Sequence, residues 1–356
     1  MIELKNFIKI SKYAGERFDL VQAGGGNSSV KLNNNEMIIK ASGVLLSEVN
    51  ENSGYSRVDI KKIRNILYNK NITNEKIKTN RETHSKNLIK DATLDKSNRP
   101  SIETLLHSTL YKYTLHTHPI VVNMILIQKE WKNIILSIFK SKDVALVPYR
   151  TPGIELAIEL ARVINKFEVI PKIIFLQNHG LIVSSSQPEE IQILTDLVLN
   201  QIEQYLELDM SKYKLTNKIS DLINTIKENS EITYLVEDDY LNQQLIEKKR
   251  LFMEAPFFPD SVVFCGASVF ILKDLSDTSE FDNYIAKYNE LPKVIIFKNY
   301  IFLRALNIKK AKEIEEVLKF QIMVLEKNLK NEKNFLNIEE VNYLTNWEAE
   351  NYRKKI

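Results

Sequence analysis

The stretch Thr114-Leu115-His116-Thr117-His118-Pro119 constrains this chain more than any other. It sets two of only five histidines one residue apart, in an apolar setting and just before a proline. On a β-strand, residues two apart project from the same face, so His116 and His118 converge on one point if the segment is extended. Such a pair at a strand end, joined by one distant histidine, makes a three-nitrogen metal site with an open fourth position. His179 suits the third role, because it lies between Asn178 and Gly180 where the backbone turns. The plainer alternative is three unrelated histidines, hydrogen-bonded in loops.

The rest of the chain mixes helix and strand. Residues 1–20 carry Ile2, Phe7, Ile8 and Tyr13 at helical spacing. "QAGGGNSSVKL" and "MIIKASG" read as a hairpin across the turn "NNNEM", entered by a glycine-rich loop and left through Ser42-Gly43. A short helix is predicted over 58–68 and an irregular polar insertion over 69–99. "RPSIETLLHSTLYKY" reads as a helix capped by Ser101, and Pro119 to about Gln128 as another. "DVALVPY" is a strand, "TPGIELAIELARVINKF" an amphipathic helix, and "KIIFLQNHGLIVSS" a hairpin with Asn178-His179-Gly180 at its tip. "QPEEIQILTDLVLNQIEQYLEL" is a long helix.

Charged and polar residues near 208–235 mark a boundary, giving a domain over 1–208 and an extension over 209–356. In the extension, "SVVFCGASVFIL" and "KVIIFKNYIFLRAL" read as strand pairs, 309–330 as a helix and "NYLTNWEAENYRKKI" as a short charged helix. No internal repeat is legible. Hairpins outnumber strict βαβ units, so the expected fold is an α/β/α sandwich with a largely antiparallel sheet and a smaller C-terminal α+β region.

Composition narrows the function. The 356 residues, 44% of them hydrophobic, are enough for one large domain and a smaller one. Basic residues number 49 and acidic ones 46, a net +3 that argues against nucleic acid or an anionic membrane as partner. The single cysteine, Cys265, excludes an intrachain disulfide and fits a reducing compartment. The first residues lack a signal-peptide pattern, and the longest apolar run, "IVVNMILI", is far short of a membrane span. A cytoplasmic protein acting on a small molecule is expected.

Glu103 lies thirteen residues before His116, one helix away, where a carboxylate can ligate a divalent metal or act as a general base. As an isolated residue it is equally a helix N-terminal acid facing the dipole. Gly24-Gly25-Gly26-Asn27 suits a loop whose backbone N–H groups meet an oxyanion. It is neither a Rossmann nor a Walker fingerprint. Lys40 can add charge there, although a lysine on a strand is commonly just solvated.

In order, "GGGNSSVKL", "MIIKASGV", "RPSIETLLH", "LHTHP" and "QNHGLIV" resemble the class II aldolase/adducin family over roughly residues 5–205. That family includes the zinc-dependent fuculose- and rhamnulose-phosphate aldolases. More loosely, "PFFPDSVVFCG" and "NWEAENYRKK" resemble the aldolase part of rhamnulose-phosphate aldolase/dehydrogenase fusions. The resemblance implies that His116, His118 and His179 hold Zn²⁺ or another divalent metal, with Glu103 as ligand and then acid/base. It implies that Gly26, Asn27, Ser42, Gly43 and Ser101 bind substrate, and that His107 is structural support. The implied reaction is reversible aldol cleavage of a ketose phosphate through a metal-stabilised enediolate, with dihydroxyacetone phosphate as donor. A homo-oligomer, a tetramer in particular, is implied too, with a neighbouring copy's tyrosine as second acid. One departure stands out: the phosphate-binding aldolases usually read proline-serine-serine-glutamate, and this chain has Pro100-Ser101-Ile102-Glu103. A dehydratase, a lyase acting on an unphosphorylated sugar or sugar acid, and an adducin-like binding module are the alternatives. An epimerase is less compatible, because those enzymes typically carry aspartate where this chain has Glu103.

Overall fold

The computed structural model describes residues 2–95, 98–226 and 231–346. The chain forms two compact units that divide between Met210 and Ser211.

The first unit is built on a seven-stranded sheet of β1 (Asn27–Lys31), β2 (Glu36–Lys40), β3 (Tyr55–Asp59), β4 (Tyr113–Thr117), β5 (Val144–Val147), β6 (Ile173–Leu176) and β7 (Gly180–Ser185). Its order is β3-β2-β1-β4-β7-β6-β5, antiparallel throughout except for the β5–β6 pair. Helices cover both faces, which explains the near-continuous apolar runs in β6 and β7. On one face Tyr113, Leu115, Phe175, Leu181 and Val183 pack with Phe7, Ile125, Trp131 and Val198. On the other, Met37, Ile39, Ala145, Ile174 and Ile182 pack with Ile63, Leu105, Leu156 and Leu160. Each of the leucine, isoleucine, valine, methionine and phenylalanine side chains among them contributes about 1.5–3 kcal/mol on burial. This second face turns polar at β1 and β4, where Asn27, Ser29, Thr114 and His116 are all buried. Paired registers Asn27↔His116 and Ser29↔Thr114 put these four residues on one side.

Two sequence expectations fail in this unit. The stretch 69–99 is not irregular: it holds a helix at Lys78–Asp91, of which only Ser85 and Ile89 are buried. So narrow a buried stripe leaves almost no apolar periodicity to read. The helix expected from "RPSIETLLHSTLYKY" is only Thr104–Ser108, and Glu103, not Ser101, is the residue at its N-terminal boundary.

The second unit has a four-stranded sheet of β8 (Ile232–Leu235), β9 (Phe270–Leu272), β10 (Val294–Phe297) and β11 (Tyr300–Ala305), ordered β8-β11-β10-β9. The helix Ile308–Lys327 covers it through Ala311, Ile314, Leu318 and Ile322. "SVVFC" is helical within Pro259–Cys265, not a strand, because Pro259 at the first helical turn outweighs the β-branched pair behind it. A helix at Ile338–Asn346 starts the expected final one; the remainder of that segment lies outside the described residues.

The two units share a pattern that sequence reading did not reveal. β4-β7-β6-β5 and β8-β11-β10-β9 have the same order and the same sequence of antiparallel, antiparallel and parallel pairings. Pro171-Lys172 precedes the first hairpin and Pro292-Lys293 the second, and a long helix follows each, Pro188–Leu206 and Ile308–Lys327. The second unit therefore repeats the topology of the latter half of the first. Among the described residues no helix is long and apolar enough to cross a membrane.

Candidate metal centre

Three histidines meet on the polar face at the end of β4. The Nε2 atoms of His118 and His116 lie 3.1 Å apart, and those of His116 and His179 3.2 Å apart. The ligand atoms of all three fall within 4.8 Å of one another. Glu103 Oε1 stands 3.4 Å from both His116 Nε2 and His179 Nε2. Ligand arms of 2.0–2.1 Å around tetrahedral zinc give ligand–ligand edges of about 3.3–3.4 Å. The two edges at His116 match that polyhedron to within about 0.3 Å, and the three histidines form the cluster, with Glu103 against His116 and His179 at its side.

Local structure sets each donor. His116 is completely buried, and its Nδ1 lies 3.0 Å from the Leu181 carbonyl oxygen on β7. A carbonyl only accepts, so Nδ1 carries the proton and Nε2 presents its lone pair to the cluster. The backbone N–H of His118 donates to Leu20 O at 2.9 Å, and that of Ile120 to Asp19 O at 3.0 Å. The turn supplying both carbonyls is fixed by buried Arg17, which binds Asp19 at 2.6 Å and Asp196 at 2.9 Å. His179 ends the three-residue tip of the β6–β7 hairpin, where Asn178 takes the left-handed conformation at φ 53°.

Gly180 fixes the approach of hairpin to strand, since a Cβ there would stand 2.2 Å from Thr117 O. Gly180→Ala should therefore displace β7 from β4, costing about 1–3 kcal/mol by overcrowding. It should also weaken metal binding about 10- to 100-fold by splaying His179 from His118. Thermal unfolding and metal titration check this, and wild-type values for both would contradict it.

Burial drives the electrostatics. It holds His116 far below the ordinary imidazole value, with Glu103 pulling the other way, and it lowers His118 as well. Burial alone would raise the Glu103 carboxyl, but the imidazoles facing it hold it well below the usual carboxylate range. The Glu103 carboxylate thus stands beside His116 and His118, whose neutral forms burial favours, a donor set that fits a divalent cation. His107, buried against Ser29 Oγ at 2.8 Å, is lowered by desolvation to about 4.

These depressed histidine values fix a sign for stability. A histidine that is neutral when folded takes up a proton on unfolding below about pH 6.5, so its stabilising share is present above that pH. For His107 the share is lost as pH falls from about 6.5 to about 4, with a slope near 1.4 kcal/mol per unit. Urea unfolding of the metal-free protein at pH 7 and pH 5 should show the lower pH less stable; a flat profile would contradict the burial account.

The remaining candidates fall into two groups. Asn27, opposite His116 in the sheet, is buried with no hydrogen-bond partner at Oδ1. Gly26 sits at φ 72° against the His116 carbonyl. Ser42 and Gly43 are exposed just beyond β2; the Ser42 N–H donates to Arg99 O at 2.8 Å, which sets that turn beside Ser101. Ser101 Oγ accepts the Glu103 N–H at 3.3 Å. The first group adjoins the histidines and the second adjoins Glu103. Sequence reading set Gly25 in the glycine loop but did not show its approach to His118, from whose Nδ1 a Cβ there would stand 2.9 Å. It also missed the Leu181 carbonyl, which any histidine pair on an inner strand needs on the neighbouring strand.

The second unit lacks these donors at the matching positions. The registers His116↔Ile182 and Leu235↔Phe302, counted from the first residues of β7 and β11, make Leu235 the counterpart of His116 and Glu237 that of His118. Its hairpin tip, Lys298-Asn299, is one residue shorter and holds no histidine.

A sequence profile described as the Class II Aldolase and Adducin N-terminal domain matches residues 5–206. The chain belongs to this family. Among solved structures, the N-terminal class II aldolase domain of a conserved protein from Thermoplasma acidophilum is 24% identical with a TM-score of 0.50. It covers 57% of this chain and 93% of its own. A sugar-phosphate aldolase from Thermotoga maritima (14% identity, TM-score 0.42, 58% and 94% covered) is also similar. So is an L-fuculose-1-phosphate aldolase from Thermus thermophilus (15%, 0.35, 56% and 90%). No curated protein matches the chain. The class II aldolase fold accounts for the seven-stranded unit, and the profile ends just before the second unit begins.

Proposed function

We propose that this protein is a zinc-dependent aldolase that cleaves or forms a ketose, with dihydroxyacetone phosphate as the donor fragment. The observation that carries this reading is that the Nε2 atoms of His118 and His179 lie 3.1 and 3.2 Å from that of His116, with Glu103 Oε1 3.4 Å from both His116 and His179. His116, His118 and His179 would hold the cation, which when bound supplies a Lewis acid for the donor's oxygens. Glu103 moves the proton at the donor carbon next to the carbonyl, removing it in synthesis and returning it in cleavage. In cleavage the hydroxyl on the aldehyde-forming carbon gives its proton to a second acid/base group, the carbon–carbon bond breaks and the aldehyde leaves, and the electron pair stays on the donor carbon, which takes a proton from Glu103. Gly26 and Asn27 face the donor beside the histidines, while Ser42, Gly43 and Ser101 take its distal end. Burial of His116 and Glu103 strengthens the contacts made at that end of the site.

The donor set supports catalysis over a binding module, which has no use for a carboxylate facing buried His116 and the nearby His179. Ile102 favours one second reading, a lyase or dehydratase acting on an unphosphorylated sugar or sugar acid, because no hydroxyl is present there to bind phosphate. The test is synthesis: zinc-loaded protein, dihydroxyacetone phosphate and glyceraldehyde should give a ketose phosphate, and chelation should stop it. Failure with this donor and success with dihydroxyacetone would favour the second reading.

A further inference from the structure

His118 lies one residue beyond β4, where neither neighbouring strand pairs with it. What holds it is a turn from earlier in the chain. The Leu20 carbonyl accepts its backbone N–H at 2.9 Å, and the Asp19 carbonyl accepts that of Ile120 at 3.0 Å, one on each side of Pro119. The turn closes on Arg17, whose carbonyl accepts the N–H groups of Leu20 and Val21, each at 3.1 Å. It then leads into the glycine loop, where Gly25 closes on the His118 ring.

The Arg17 side chain is 1% exposed and surrounded by partners. Nε donates to Asp19 Oδ1 at 3.0 Å and Nη2 to Asp19 Oδ2 at 2.6 Å, a two-pronged contact. Nη1 donates to Asp196 Oδ1 at 2.9 Å and to the Tyr13 hydroxyl at 3.2 Å, and that hydroxyl donates to Asp196 Oδ1 at 2.7 Å. Arg17 thus ties the turn to Tyr13 on the helix Ile2–Gly15 and to Asp196 on the helix Pro188–Leu206. Buried ion pairs return little net stability, because desolvation offsets the attraction, and apolar side chains would fill the same space at lower cost. What such a planar fork fixes is direction.

We infer that Arg17 is a positioning residue for the metal centre. It sets the turn whose carbonyls clamp His118-Pro119-Ile120, and so sets where the His118 imidazole stands relative to His116 and His179. The inference rests on the metal-centre reading and deepens it by naming what orients the one histidine of the strand pair that the sheet does not hold.

The experiment compares the full-length wild type with Arg17→Lys, Asp196→Asn and Val198→Ala. Arg17→Lys keeps a cation beside Asp19 but lacks the fork that spans Asp19, Tyr13 and Asp196 together. Asp196→Asn keeps the Arg17–Asp19 pair and weakens only the outer anchor. Val198→Ala removes two carbons from the core under the same helix and is the control for lost stability. Zinc affinity is measured by chelator competition, ligand geometry by the visible absorption of the Co²⁺-loaded protein, and Tm on the metal-free protein. Arg17→Lys should bind zinc about 10- to 100-fold more weakly, the usual cost of losing a group that orients a ligand, with altered Co²⁺ bands. Asp196→Asn should show a smaller loss of the same kind. Val198→Ala should lower Tm yet keep wild-type affinity and spectrum. Wild-type affinity and spectrum in Arg17→Lys would overturn the inference, whatever its Tm. So would an equal loss of affinity in Val198→Ala, since metal binding would then follow stability alone. Should Arg17→Lys fail to fold, Asp196→Asn decides, and wild-type affinity and spectrum there would overturn the inference. A wild type that binds neither Zn²⁺ nor Co²⁺ would reject the metal-centre reading and this inference with it, whereas intact wild-type binding beside an unchanged Arg17→Lys rejects this inference alone.

Discussion

Replacing His116 by alanine will remove both the metal and the activity. His116 supplies the Nε2 shared by the 3.1 and 3.2 Å edges of the cluster, and Glu103 lies 3.4 Å from the same atom. Without it two imidazoles remain, and two nitrogens hold zinc poorly. Zinc content should fall from about one per chain to below about one tenth, and turnover at least about 10³-fold, because the Lewis acid goes with its ligand. The fold should survive: the sheet pairing of β4 uses backbone groups, and a buried polar ring is lost rather than a core hydrophobe. A His116→Ala protein that is fully metal-loaded and active would remove His116 from the centre.

Glu103→Gln separates holding the metal from moving the proton. The amide keeps the shape of the carboxylate at the start of the Thr104–Ser108 helix, and the three imidazoles are untouched. Zinc should therefore stay near one per chain and Tm near wild type. Turnover should drop about 10²–10⁴-fold, the usual worth of a positioned general base. Turnover equal to wild type would reject Glu103 as the base. Loss of zinc with turnover per bound zinc unchanged would make it a ligand alone.

Much of this centre was legible in the sequence because its grammar is local. His-x-His at a strand end and an Asn-His-Gly turn each place a side chain locally, and Glu103 stands at the start of the short helix before that strand. Their meeting was not local. It depends on Leu181 O, on Leu20 O held through Arg17 and Asp19, and on the close approach at Gly180, all contributed by distant residues. Lys40 is 2% exposed, not solvated, and this was illegible for the same reason: whether a strand lysine is solvated depends on which loops fold over it.

The sheet of the first unit followed from hairpin patterning, whereas the helix Lys78–Asp91 did not, because it buries so little. The recurrence of β4-β7-β6-β5 as β8-β11-β10-β9 escaped sequence reading, since it survives in pairing and hydrophobic pattern rather than in identity. Loops of different length and a hairpin tip shorter by one residue offset the spacing along the chain while the strand registers stay the same. Leu235 and Glu237 stand at the positions of His116 and His118, so one chain should carry one such centre.

Proton exchange on dihydroxyacetone phosphate tests the central claim most directly, because it requires metal, base and substrate site together and needs no aldehyde partner. The zinc-loaded protein is placed in D₂O with this compound, and the C3 protons are followed by NMR. Stereospecific loss of one of the two C3 protons, absent in Glu103→Gln, is the expected result. No exchange from protein shown to carry one zinc per chain would contradict the account of this centre as an aldolase site for that donor.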